Sequence, residues 1–251
     1  QKLNEGLSEP AFEVMNVSCP SWGSDQQFLY WKTEGKDFRP DLLLIMVSPN
    51  DLREMYAKKL VELDNDGEIK INPVKIPLKN RFGWCLANTS SVVQYFQRKH
   101  WNTNYVNFFD IYYFYPVNFG IGDSTDWDAP MFLKEPFPEV IESHQLFERI
   151  IEATAADCQA DNVQLMLAII PTKMEFDGKL DTTLYQPGTV ATLIDTIARK
   201  NQIPYLNLYD TLRQDPDPLR IFISWEYHFN KEGHQFTADY LYPFIKSNLV
   251  D

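Results

Sequence analysis

The sequence contains little cysteine, and its few cysteines follow no pattern. Cys19, Cys85 and Cys158 lie far apart in a chain of 251 residues. They have neither the close spacing of zinc ligands nor the even number that a complete disulfide framework needs. Free cysteine is commonly a small core residue. We therefore expect no metal site at these positions, and buried free thiols are the favoured interpretation.

Basic residues are also scarce compared with acidic ones. The chain has 23 Lys and Arg against 35 Asp and Glu, which gives a formal net charge of −12. Binding to nucleic acid depends on clustered Lys and Arg that neutralise phosphates. Nucleic acid is therefore not an expected partner.

Long apolar runs, leader sequences, repeats and low-complexity linkers are absent from the sequence as well. No apolar run approaches the ~20 residues that span a bilayer, and no signal peptide is visible. The composition is 44% apolar and 14% aromatic, which is sufficient for a sizeable core. We therefore expect a single domain over residues 1–251.

Apolar strand patterns alternate with helical patterns along the chain. Residues 41–47 (DLLLIMV) and 163–170 (VQLMLAII) are continuous apolar runs, typical of parallel strands buried on both faces. Shorter runs predict strands at 12–17 and 203–208 and a turn feeding an edge strand at 62–72. Helical periodicity predicts helices at 25–32, 89–100, 138–159, 189–200 and 233–249. This alternation predicts an α/β fold, a three-layer α/β/α sandwich with a mainly parallel central sheet.

An aromatic-rich segment interrupts the regular pattern. Residues 101–137 are rich in Trp, Tyr, Phe and Pro. Such a segment is typical of an insertion or cap packed on the core. It is also compatible with one wall of a substrate pocket, because aromatic clusters often line such sites.

Three polar loops follow predicted strand ends, at residues 18–26 (SCPSWGSDQ), 48–51 (SPND) and 224–230 (SWEYHFN). Ligands of open parallel sheets bind at the carboxyl ends of the strands. The backbone N–H of Gly23 and the side-chain amide of Asn50 are candidate donors for an oxyanion hole. Each also has a simpler interpretation, a turn for Gly23 and an Asx turn or helix cap for Asn50.

The third loop carries a candidate acid–base pair. His228 is a candidate general base, since free imidazole titrates at about 6.5. Glu226, two residues earlier, is a candidate for the carboxylate that orients the imidazole. The alternatives are a structural histidine and a solvated surface charge. His234, in the first turn of the last predicted helix, is interpreted as a packing residue.

These segments, in this order, resemble the SGNH (GDSL-type) hydrolases, a superfamily of serine esterases, lipases and carbohydrate acyl-hydrolases. VMNVSCPSWGSDQQ is similar to the block whose glycine is an oxyanion donor, which corresponds to Gly23. DLLLIMVSPND is similar to the block whose asparagine is the second donor, here Asn50. EYHFNKEGHQFTADYL is similar to the block that carries the catalytic histidine, here His228. The resemblance covers nearly the whole chain and implies an SGNH/flavodoxin-like sheet.

The chain departs from the family pattern at two places. The family carries its nucleophile in a Gly-Asp-Ser motif upstream of the Gly23 block, and no such motif precedes residue 12. We therefore expect that this chain lacks a first strand and a nucleophile turn, together with any N-terminal leader or anchor. This leaves the compartment open, including an extracytoplasmic or membrane-anchored location.

An internal Gly122-Asp123-Ser124 spells the missing motif. It follows no clear strand and falls after the Gly23 and Asn50 blocks, so a polar loop is the favoured interpretation. The second departure is Glu226, where the family has aspartate; its extra methylene lengthens the reach to His228.

The expected function is serine ester hydrolysis of acyl or acetyl esters, on a lipid or a carbohydrate, without a metal or organic cofactor. The same residues would serve a polysaccharide O-acyltransferase, in which a sugar hydroxyl replaces water. A non-catalytic binding or assembly subunit with protein partners is the alternative from a different class, since it fits the missing nucleophile block and Glu226.

Overall fold

The computed structural model describes residues 2–4, 12–19, 22–73 and 128–249. The predicted helix at 89–100, the Gly122-Asp123-Ser124 motif, Cys85 and most of the aromatic-rich segment lie outside the described residues. In chain order the main elements are α1 (Ser24–Thr33), β1 (Leu42–Val47), α2 (Pro49–Lys58), β2 (Val61–Leu63), β3 (Ile69–Ile71), α3 (Pro138–Ala160), β4 (Gln164–Ile169), α4 (Thr189–Lys200), β5 (Tyr205–Asn207), α5 (Leu208–Leu212) and α6 (Lys231–Asn248).

A parallel sheet of order β1-β4-β5 is the centre of the described structure. Leu42 pairs with Gln164 and Val47 with Ile169, so β1 and β4 match over their full length. Asn207 at the end of β5 pairs with the same Ile169. The two continuous apolar runs therefore form neighbouring parallel strands, and the predicted α/β class is confirmed.

The middle strand of this sheet is the most deeply buried. Leu165 to Ile169 of β4 are all buried, whereas β1 is half-buried until Val47. Sequence alone indicated burial on both faces for both strands, and in the described part of the chain only β4 fulfils this expectation. The difference follows from position, because β4 has a hydrogen-bonded strand on either side.

The long helix α3 supplies much of the core. Its buried side chains recur at helical spacing: Val140, Ser143, Leu146, Phe147, Ile150, Ile151, Thr154 and Cys158. It packs against α1, α2, α4 and β4. Burying one large apolar side chain contributes roughly 1.5–3 kcal/mol, so this stripe fixes α3 against the sheet and the N-terminal helices.

The structure differs from the sequence predictions at three places. Residues 12–17 form no strand; residues 13–18 are exposed, and no described strand lies beside them. Helix α2 was not predicted, although Ser48 and Asp51 form a capping box and Pro49 occupies the first turn. Residues 62–72 contain the predicted turn and the short strand after it, β3, but the residues before the turn also form a strand, β2, so the segment is most of an antiparallel hairpin.

Both thiols that the structure describes are free. Cys158 is buried on α3, as expected, and burial raises its pKa to about 12. Cys19 is only half-buried, so the expectation of buried thiols is met by one of these two residues. No helix among the described residues is both long enough and apolar enough to cross a membrane.

Candidate functional site

The carboxyl ends of the parallel strands lie together at one edge of the sheet. Val47 and Ile169 are paired, and the N–H of Ile170 donates to the carbonyl of Val47 at 2.7 Å. The segments that leave this edge begin at Ser48 after β1 and at Ile170 after β4. The edge is the position at which open parallel sheets bind ligands, and it carries helix α2 with Asn50.

Gly23 lies where the N-terminus of α1 meets the backbone of α2. It is the N-cap of α1, with φ −85° and ψ 172°, a conformation open to any residue. A Cβ at this position would lie 2.7 Å from the backbone N of Met55 and 3.1 Å from the carbonyl O of Asp51. Close approach of two helices, rather than turn geometry, therefore requires glycine here.

Asn50 occupies the first turn of α2 and is half-buried. The capping role belongs to its neighbours, because the N–H of Ser48 donates to Oδ2 of Asp51 at 2.8 Å. The side-chain amide Nδ2 of Asn50 lies 3.5 Å from Oε1 of Glu54. This distance is at the outer limit of a hydrogen bond. Because Ser48 is the N-cap of α2 and Asp51 completes the capping box, Asn50 is not the helix cap.

A chain of polar contacts links the two candidate oxyanion donors. The N–H of Gly23 donates to Oε1 of Gln26 at 3.3 Å, and Nζ of Lys58 donates to the same oxygen at 2.7 Å. Lys58 also pairs with Oε2 of Glu54 at 2.6 Å, and Glu54 accepts from Asn50. The structure therefore brings Gly23 and Asn50 into one network across the α1–α2 contact.

Buried charge surrounds this network. Arg53 donates from Nε to Oδ1 of Asp128 at 2.6 Å, and both Arg53 and Glu54 are almost fully buried. Burial raises the pKa of Asp25 to about 6 and that of Asp51 to about 7. Perturbed carboxyls of this kind cluster at functional sites, although ion networks that serve only structure show them too.

The buried hydroxyl Oγ of Ser24, beside Gly23, has no hydrogen-bond partner among the described residues. Oδ1 of Asp25 accepts from the N–H of Gln26 at 2.8 Å. An unsatisfied buried hydroxyl is uncommon and costly, so Ser24 is a polar group whose hydrogen-bonding capacity the described contacts leave unused.

Glu226 and His228 meet on a loop between a 3₁₀ turn (Pro218–Ile221) and α6. Oε2 of Glu226 lies 3.4 Å from Nδ1 of His228, which is within ion-pair distance but long for a hydrogen bond. The side chain of His228 is 82% exposed. The carboxylate thus lies on the Nδ1 side of the ring, where an orienting group acts, and the imidazole faces outward.

The two halves of the predicted site are not joined by direct contacts. Within the described part of the chain, no hydrogen bond or ion pair connects Glu226 or His228 with Gly23 or Asn50. The internal Gly122-Asp123-Ser124 motif lies outside the described residues, so its predicted loop character stays a prediction.

Sequence reasoning missed the segment that follows β4. Thr172 and Glu175 form a capping box around a 3₁₀ turn, Lys173–Glu175. Glu175 is buried and accepts the N–H groups of Thr172 and Gly188, both at 3.0 Å. Burial raises its pKa to about 7. The Thr-x-x-Glu spacing after Pro171 is a helix-start signal that could have revealed this turn.

Among the residues that the structure describes, no group of three or more His, Cys, Asp or Glu side chains could hold a metal ion. No protein-family model, no curated protein and no solved structure matches this chain.

Proposed function

We propose that the protein is a serine ester hydrolase with an SGNH-type site on a three-layer α/β/α sandwich. The observation that carries this proposal is the contact between the N-terminus of α1 and the backbone of α2, where Gly23 approaches Asp51 and Met55. Polar contacts through Gln26, Lys58 and Glu54 connect the N–H of Gly23 with the amide of Asn50.

The two helix N-termini supply a favourable field for an oxyanion. Each carries a partial positive charge from its unsatisfied N–H groups. The present bonds of Gly23 and Asn50, at 3.3 and 3.5 Å, are long and weak. The side-chain amide of Asn50 can rotate towards a stronger acceptor, whereas the backbone N–H of Gly23 is fixed and is released when the side chain of Gln26 moves away. Removing one oxyanion donor typically lowers the rate by roughly 10²–10³.

In the proposed reaction, a serine outside the described residues attacks the ester carbonyl while His228 takes the hydroxyl proton. A bond forms between the serine oxygen and the acyl carbon, and the carbonyl oxygen becomes the oxyanion. His228 then gives its proton to the departing alcohol, the ester C–O bond breaks, and water releases the acyl group by the same steps. Glu226 orients the imidazole through Nδ1.

The first test is labelling of the protein from its natural source with a fluorophosphonate, followed by mapping of the labelled peptide. We expect the adduct on a serine that lies outside the described residues. Absence of an adduct on folded protein would contradict the proposal, whatever ester is offered as substrate.

A pair of histidine variants tests the general base. His228→Ala should lower ester turnover by at least roughly 10³-fold, since removing a triad member removes most of the catalysis. His234→Ala is the matched control, because it is also exposed and lies six residues further on. Equal turnover in the two variants would argue against His228 as the base.

The alternative function is a non-catalytic binding or assembly subunit. It is supported by the internal hydrogen bonds of both donors, by the 82% exposure of His228 and by glutamate at the position of the usual aspartate. This alternative predicts no fluorophosphonate adduct and stoichiometric co-purification of a protein partner from the natural source.

A further inference from the structure

A lysine from the segment after β4 holds the loop that carries the candidate base. Nζ of Lys173 donates to the carbonyl of Ile223 at 3.0 Å and to the carbonyl of Ser224 at 2.6 Å. Both acceptors belong to residues 223–228, here called the histidine loop. Two elements that are 50 residues apart in sequence are thereby joined at the carboxyl end of β4.

Lys173 donates to backbone carbonyls rather than to a carboxylate, as Lys134 also does. With 35 acidic residues against 23 basic ones, a lysine has many carboxylates to pair with. Lys173 forms no ion pair in the part of the chain that the structure describes, and its partners there are the two carbonyls. Hydrogen bonds from a charged donor are about twice as strong as those between neutral groups, so the contact restrains the loop effectively.

The backbone at Lys173 is held in place by its neighbours. Thr172 and Glu175 close the capping box around it, and Glu175 also accepts the N–H of Gly188 at the start of α4. The backbone of Lys173 is thus tied to β4 on one side and α4 on the other. A donor on a fixed backbone can set the position of a loop, whereas a donor on a mobile segment would move with it.

The histidine loop is closed at its base by backbone contacts. Phe222 and Phe229 form an antiparallel bridge, and the N–H of Ile223 donates to the carbonyl of His228 at 2.9 Å. Asn230 donates from Nδ2 to the carbonyl of Phe222 at 3.1 Å. Within the loop, the N–H of Glu226 reaches the carbonyl of Ile223 only at 3.4 Å, and the bonds from Lys173 add a restraint at Ile223 and Ser224.

We propose that Lys173 is a positioning residue for the acid–base pair. By holding the carbonyls of Ile223 and Ser224, it fixes the turn in which Glu226 faces Nδ1 of His228. This inference rests on the proposed function of His228 as the general base. Lys173 touches no reacting atom, so it acts through the loop.

Backbone hydrogen exchange tests the contact without any assay of activity. In Lys173→Met, the amide of Glu226 at the tip should exchange about tenfold faster than in the wild-type protein, because the tip loses one of its restraints. The amide of Ile223, which donates to the carbonyl of His228 at the base of the loop, should change less. Lys173→Arg should restore most of the protection, since a guanidinium can donate to both carbonyls. The matched control is Lys134→Met, which removes a lysine that donates to the carbonyl of Thr182 at 2.7 Å.

Kinetics on the full-length protein test the consequence. Lys173→Met should lower kcat by roughly 10- to 100-fold and leave KM nearly unchanged, since a displaced catalytic group slows the chemical step. Lys173→Arg should recover kcat, and Lys134→Met should leave it unchanged. A general loss of stability would instead change exchange throughout the protein and would not be rescued by arginine at this position.

The outcomes separate the two proposals. Unchanged exchange in Lys173→Met, or faster exchange with unchanged kcat, overturns the positioning role and leaves the hydrolase proposal intact. If the wild-type protein has no ester turnover and takes no fluorophosphonate, the hydrolase proposal fails and catalytic positioning fails with it. The exchange data then still report whether Lys173 holds the loop.

Discussion

Gly23→Ala is the substitution for which the structure gives the sharpest expectation. The backbone of Gly23, at φ −85° and ψ 172°, suits alanine, so the change introduces no backbone strain. The added methyl group would lie 2.7 Å from the backbone N of Met55, 3.1 Å from the carbonyl O of Asp51 and 3.0 Å from Oδ1 of Asp25. Two of these atoms belong to the backbone of α2.

The size of the effect follows from which atoms must move. A side chain can rotate away from a methyl group, but the backbone of α2 can move only with the whole helix, which is buried from Asp51 to Met55. Overpacking of this kind costs about 1–3 kcal/mol, occasionally more. We expect Gly23→Ala to lower the free energy of unfolding by ~3 kcal/mol.

Denaturant unfolding, with an unchanged slope as the check on two-state behaviour, measures this cost. Gly178→Ala is the control: its φ of +72° disfavours alanine, but nothing lies within 4 Å of the added methyl. Gly178→Ala should lower the free energy of unfolding by only about 1–2 kcal/mol. A free energy of unfolding for Gly23→Ala within ~0.5 kcal/mol of wild type would refute the close approach of α1 and α2.

Three other predictions follow from the same structure. Burial raises the pKa of Glu175 from 4.5 to about 7, so its contribution to stability is complete below pH ~4.5 and is lost as the pH rises through ~7. The unfolding free energy of the wild type should therefore fall by up to about 3 kcal/mol over this range relative to Glu175→Gln, and parallel pH curves for the two proteins would contradict the burial of this carboxyl. Asn50→Ala should lower ester turnover by roughly 10²-fold while changing the free energy of unfolding by less than ~1 kcal/mol, because its present hydrogen bond is long; wild-type turnover would exclude Asn50 as an oxyanion donor. In the native protein, iodoacetamide should alkylate half-buried Cys19 at least roughly tenfold faster than buried Cys158, as peptide mapping by mass spectrometry would report, and equal rates would contradict the packing of α3.

The elements with a strong apolar pattern could be predicted from the sequence. The continuous runs of β1 and β4 and the helical stripe of α3 each carry enough apolar side chains to fix their structure locally. Helix α2 carries instead a polar sequence whose charged residues Arg53 and Glu54 are buried. Because a pattern-based interpretation places charges on the surface, it misses a helix stabilised by paired charges in the interior.

The wrong strand at residues 12–17 has a different cause. Its apolar and β-branched residues, including Val14 and Val17, favour a strand only where a neighbouring strand and a core are available. In the described part of the chain these side chains are exposed. Propensity alone could not supply the missing partner.

The sequence supplied candidate site residues, whose roles stay predictions, but it could not supply their contacts. The order of the loops singled out Gly23, Asn50, Glu226 and His228. The links through Gln26, Lys58 and Glu54 depend on which faces of α1 and α2 meet, and the contact of Lys173 depends on a side-chain rotamer. Neither is encoded in short-range spacing.

The pairing of β1 with β4 has a consequence for how the chain reaches its folded state. Leu42 pairs with Gln164, which lies roughly 120 residues later in the chain, whereas Leu167 pairs with Tyr205, only roughly 40 residues later. Contacts between residues that are far apart in sequence form slowly. The β4–α4–β5 unit can therefore assemble before the sheet extends to β1. During synthesis β1 leaves the ribosome first, yet its partner strand is made much later. Until then the apolar run Leu42–Val47 lacks its partner β4, and unpaired apolar strands in incompletely folded chains are prone to aggregate.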